Sequence, residues 1–74
     1  MKLKENWHVN ARSRGFDWVV DLFDNKWTPV AQKVVEERQS LQAVIDMWIS
    51  AYQLLNPKIE IREEERNEVD NGDK

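Results

Sequence analysis

"WHVNARSRGFDWVVDLFD", residues 7–24, sorts its side chains cleanly when it is folded back on itself. With Arg14-Gly15 as a two-residue loop, Gly15 supplies the positive φ that a tight primed turn needs. The pairs are then Ser13 with Phe16, Ala11 with Trp18, Val9 with Val20 and Trp7 with Leu22. These residues share one face, and nearly all are apolar. The other face sets Arg12 against Asp17 and His8 against Asp21, both favourable cross-strand partners. A slip of one residue would place Trp7 opposite an aspartate and mix the faces. Two faces that agree independently predict a β-hairpin.

Downstream, Asp24-Asn25-Lys26 reads as a turn. Trp27 to Val35 is rich in β-branched and aromatic residues, which predicts a third strand with Pro29 at an edge or near its start. The rival is a helix from Pro29 with Thr28 as N-cap. Val34, Leu41, Trp48 and Leu55 fall seven apart, as one long helix over 29–55 would require. The residue types favour the strand. From Ser40 the pattern is helical, with Ser40 as N-cap and Asn56-Pro57 as the stop. Leu41, Val44, Ile45, Trp48, Ala51, Tyr52 and Leu55 form the inner stripe. Ala43, Met47 and Leu54 widen it on one side, and Ile49 on the other. The apolar arc covers roughly two thirds of the circumference, more than a one-sided surface helix needs. "KIEI", residues 58–61, alternates and predicts a short last strand. Residues 62–74 hold one apolar residue, Val69, and many charges, which predicts a flexible acidic tail.

The expected architecture is therefore α+β. A small antiparallel sheet of three or four strands, in the order β-β-β-α-β, packs on one main helix over about 41–55. Residues 1–61 form the single domain.

The chain has 74 residues, one histidine and no cysteine. It buries a thin core and has neither a disulfide nor a zinc site to reinforce it. Four tryptophans compensate in part. Absence of cysteine fits a reducing compartment. No stretch resembles a signal peptide or a membrane span, so a soluble cytoplasmic protein is expected. The net charge is −3, unevenly spread. Residues 1–15 carry four basic groups and one acid, whereas residues 62–74 carry three basic groups and six acids. A general nucleic-acid binder wants a basic face. Only Lys2, Lys4, Arg12 and Arg14 in the first strand and turn offer one.

Catalytic and cofactor chemistry finds no foothold. Asp17 and Asp21 share a strand face but stand roughly 13 Å apart by strand rise, too far for one cation. His8 has Asp21 to orient it but no nucleophile placed for attack. The two glycines, Gly15 and Gly72, make no phosphate loop. No enzyme, cofactor or metal is expected. Trp7, Phe16 and Trp18 have the chemistry to stack on bases, as Phe23 does more weakly, but a covering helix would claim the first three. The candidate contact residues are Ala43, Met47 and Leu54 on the outer helix strip, as a dimer seam or partner groove. Asp17 and Asp21 add an acidic edge.

The segments "WHVNA", "WVVDLFD" and "SLQAVIDMWISAYQLL", followed by a short strand, resemble the sheet-and-helix fold of HicB-like antitoxins over residues 7–61. The resemblance implies the fold and a role in binding another protein, often within an oligomer. The acidic tail does not match a DNA-binding segment. Small acidic sheet-and-helix proteins also include phage-encoded inhibitors of host enzymes. The expected function is a small protein-binding regulator or inhibitor from this range, acting on a protein partner and possible as a homodimer. The alternative is a single-stranded nucleic-acid binder that uses Lys4, Arg12 and Arg14.

Overall fold

The computed structural model describes residues 2–63. The elements are β1 (Lys4–Glu5), β2 (His8–Ser13), β3 (Trp18–Phe23), β4 (Pro29–Val35), α1 (Ser40–Tyr52), β5 (Leu54–Leu55) and β6 (Lys58–Arg62). The main sheet has the order β4-β3-β2-β6, and β1 pairs with β5 in a separate parallel ribbon. The fold is α+β, one helix on a four-stranded sheet. The sheet is mixed and not wholly antiparallel, because β6 runs parallel to β2. β4 and β6 therefore run the same way, and α1 is the crossover between them. Arg62 belongs to β6, so the expected tail does not begin at 62. The rest of that tail, from residue 64, lies outside the described residues.

The hairpin forms, but two residues out of the expected register. Val9 faces Leu22, Ala11 faces Val20 and Ser13 faces Trp18. A shift of two preserves every face, so the apolar pattern is equally satisfied. The loop then spans Arg14–Asp17 and closes on itself. The Arg14 N–H donates to the Asp17 carbonyl at 2.8 Å. The Arg14 guanidinium grips the Asp17 carboxylate at 2.8 and 2.6 Å. Gly15 takes φ 101°, a value that a Cβ would oppose. Phe16, expected on the apolar face, is 79% exposed at the loop tip.

Residues 29–35 are a strand, as their β-branched content predicts, and the helical alternative is not adopted. Pro29 opens this edge strand, where its missing N–H costs no ladder bond. Ser40 is not the N-cap of α1. Gln39 holds that position and makes no side-chain cap. The Ser40 and Leu41 N–H groups instead donate to the Glu37 and Arg38 carbonyls. The helix also ends earlier than expected. Gln53 turns left-handed at φ 57°, and its N–H donates to the Ile49 carbonyl. The Gln53 carbonyl accepts from the Lys4 N–H at 2.9 Å, and the chain enters β5.

Val9, Ala11, Trp18, Val20 and Leu22 from the sheet pack on Leu41, Val44, Ile45 and Trp48 from the helix. Leu54 completes this cluster from β5. Trp7 closes one end against Tyr52, with ring centroids 6.0 Å apart.

Candidate interaction surfaces

The two edges of the main sheet are built differently. On β4, Lys33 stands opposite Val20 and so points to the helix side, where an edge-on partner would have to bury it. Pro29 and a register irregularity at Leu22/Phe23 further disrupt that edge. An inward charge, a proline and a bulge are the usual protections of an edge strand. β6 has none of them. Its helix-side residues are Ile59 and Ile61, in register with the buried Val9 and Ala11. They remain 45% and 41% exposed. The cause is the seat of α1, which packs over β3 and β4.

The backbone of β6 has a definite polarity. The Lys58 N–H donates to the Trp7 carbonyl at 2.8 Å, which directs the peptide groups of Lys58 toward β2. Alternation along the strand sends those of Glu60 and Arg62 the same way. The N–H and C=O groups of Ile59 and Ile61 thus point to the outer edge, where no strand lies among the described residues.

The sheet face away from the helix carries His8, Asn10 and Arg12 on β2, Asp21 and Phe23 on β3, and Lys58, Glu60 and Arg62 on β6. Arg12 and Arg62 are directly in register on neighbouring strands. Arg62 also reaches Glu60 at 3.3 Å. A shallow groove of about 350 Å³ runs between Arg12, Asp21, Phe23 and Arg62. At the other end of this face Trp27 lies over His8. The loop beneath it is tightly tied. The Asp24 carboxylate accepts from the Lys26 and Thr28 N–H groups at 2.8 and 2.9 Å. These bonds, that from Thr28 foremost, hold the Asp24 carboxyl below its usual range.

The expected site residues fare unequally. Ala43 and Met47 are exposed on α1, Met47 by 48%. Leu54 does not lie on the helix strip. It belongs to β5 and is only 5% exposed, because the helix stops before it. Ala51, expected on the inner stripe, is exposed beside Met47 instead. Asp17 sits in the hairpin loop and not on a strand face with Asp21. Its hydrogen-bonded pairing with Arg14 lowers its pKa. Asp21 faces Asn10, not His8, and accepts from the Gln32 amide at 2.8 Å. The expected acidic edge of two aspartates is therefore not assembled.

The basic set is also split. Lys4 lies in the separate β1 ribbon, and Arg14 is engaged by Asp17. Only Arg12 reaches the open face, beside Arg62. Trp18 is buried and Trp7 packs on Tyr52, so the aromatics left for stacking are Phe16 at the hairpin tip, the exposed Trp27 and the half-buried Phe23. Sequence reasoning missed Ile59, Ile61, Arg62 and Trp27 as surface features. The alternation in "KIEIR", residues 58–62, was the available signal for the first three.

Comparisons with protein-family models, with curated proteins and with solved structures returned no match. No helix among the described residues is long and apolar enough to cross a membrane.

Proposed function

We propose that this chain is a small non-catalytic protein-binding regulator or inhibitor that engages a polypeptide by strand addition at β6. One observation carries the reading: among the described residues β6 keeps an open ladder edge and two half-exposed isoleucines, whereas β4 is protected against the same contact. Strand addition draws affinity from main-chain bonds and selectivity from alternate side chains. Ile59 and Ile61 supply the apolar side, and Lys58, Glu60 and Arg62 the charged one. The order β-β-β-α-β, on which the resemblance to HicB-like antitoxins rests, supports a role in binding another protein. A phage-encoded inhibitor of a host protein belongs to the same class of activity. The exposed strip of Ala43, Met47 and Ala51 offers a second apolar contact on α1.

The test is paired affinity capture. The full-length protein and an Ile61→Lys variant, matched by circular dichroism, are exposed to the same nuclease-treated lysate of the source or host cell. One protein held near stoichiometry by the first and lost by the second is the expected result. Identical retention on both overturns strand addition at β6.

A second reading, binding of single-stranded nucleic acid, is favoured by Trp27 and the Arg12–Arg62 pair on the open face. Trp27, 52% exposed, offers a stacking surface, and the two guanidiniums offer a phosphate site. It predicts salt-dependent binding of a labelled oligothymidylate, weakened by Arg12→Glu. No binding at low salt removes it.

A further inference from the structure

We infer that the polypeptide taken up by the β6 edge is a second copy of this chain, paired antiparallel about a two-fold axis at Ile61. The inference rests on the strand-addition reading above and selects its occupant from the charges and backbone polarity of β6.

A two-fold axis perpendicular to the sheet keeps the helix side of both copies on one side. Residues that face each other must then share a face, which leaves three central registers for a strand this short. Centring on Glu60 sets that carboxylate against its own copy and Lys58 against the second copy's Arg62. Like charges directly opposite are unfavourable. Centring on Ile59 sets Lys58 against the second copy's Glu60, which is favourable. It also brings Pro57 opposite the second copy's Ile61, and the missing proline N–H removes a bond on each side of the axis.

Centring on Ile61 has neither fault. Glu60 faces the second copy's Arg62, and by symmetry Arg62 faces the second copy's Glu60. Ile61 faces Ile61, and Ile59 faces Glu63. The outward-pointing groups of β6 are those of Ile59 and Ile61, and pairing extends the strand by one residue to Glu63, whose carboxylate stands 3.9 Å from the Arg38 guanidinium. All three carry an N–H, so each facing pair exchanges both of its bonds. The contact is isologous and closes, which stops assembly at two copies. It also covers the isoleucines that α1 leaves bare. A contact of this size lies at the low end of specific interfaces, so dissociation in the micromolar range is expected.

Sedimentation of the full chain, from micromolar to hundreds of micromolar, tests the assembly. The mass should rise to that of a dimer. Glu60→Arg and Arg62→Glu each place like charges opposite across the axis, and each should hold the chain monomeric. The double exchange restores opposite charges and should restore the dimer. Circular dichroism confirms that each variant is folded.

The register has its own test, because the chain has no cysteine. Ile61→Cys puts two thiols at a facing pair, about 5.5 Å apart between Cα atoms, within disulfide reach. Mild oxidation should give a covalent dimer. Ile59→Cys, displaced roughly 13 Å along the strands from its copy, should not. A wild-type monomer at every concentration overturns the inference, as does a dimer indifferent to both charge reversals. Preferential cross-linking through Ile59→Cys overturns the register. A monomer that still loses a captured protein on Ile61→Lys leaves strand addition standing with a foreign partner.

Discussion

The indole of Trp27 lies flat on the imidazole of His8, with ring centroids 3.7 Å apart and planes 15° from parallel. His8 opens β2 opposite Phe23 on β3, Trp27 comes from the loop between β3 and β4, and Phe23 lies beside the stack, 5.5 Å from Trp27. Trp27 reaches this position through φ 64°, a left-handed conformation costing a non-glycine residue about 1–2 kcal/mol. The Asp24 bonds and the aromatic contacts offset that cost.

A double-mutant cycle on His8→Ala and Trp27→Ala should therefore show coupling. Stacked aromatic pairs contribute about 0.5–1.5 kcal/mol beyond their area. Urea unfolding of the four proteins measures it. Strictly additive losses would show that the stack contributes nothing to stability.

Asp24 should make the fold sensitive to acid. Its carboxyl is held below the usual aspartate range, first by the Thr28 N–H and then by that of Lys26. A depressed folded-state pKa stabilises the fold above the unfolded pKa, and that contribution is lost as pH falls through the folded value. Stability should decline on acidification from the ordinary carboxylate range downward. In Asp24→Ala this decline should be shallower, read from urea midpoints between neutral pH and pH values below 3.8. Asp17, lowered by Arg14, contributes with the same sign.

Gln53→Gly should stabilise the protein. Gln53 ends α1 at φ 57° and ψ 59°, where glycine has no Cβ penalty. The expected gain is about 1 kcal/mol, read as a raised urea midpoint with an unchanged slope. A loss would mean that the half-buried Gln53 side chain outweighs the backbone term.

Leu22 and Phe16 should separate sharply. Leu22 is inaccessible at the centre of the core, and Leu22→Ala should cost about 2–5 kcal/mol, enough to unfold much of so small a domain. Phe16 makes one long cation–π approach, with Arg14 6.0 Å from its ring. Phe16→Ala should change stability by less than about 0.5 kcal/mol. Thermal melts of both variants check the hairpin register directly. In the two-residue-loop register, Phe16 would stand on the sheet's apolar face and its loss would be costly.

Several features were legible in the residues themselves. Alternation places Val9, Ala11, Trp18, Val20 and Leu22 on one face whatever the loop length. The helical stripe of Leu41, Val44, Ile45 and Trp48 is read from its spacing. The β-branched run before Glu36 marks β4. These signals are local, because each depends on a repeat within one segment.

Other features required the assembled structure. A period of two cannot distinguish registers two residues apart, so the Arg14–Asp17 closure decides the hairpin. The apolar run through Leu55 suits a longer helix. Pairing of β5 with β1 captures the Gln53 carbonyl, ends the helix early and moves Leu54 from the outer strip into the core. Strand order decides that β6 is an edge, and the seat of α1 over β3 and β4 leaves Ile59 and Ile61 bare. Sequence alone determined which side chains share a face. Tertiary packing decided which of those faces are covered, because coverage depends on where neighbouring elements lie and not on the repeat within any one of them.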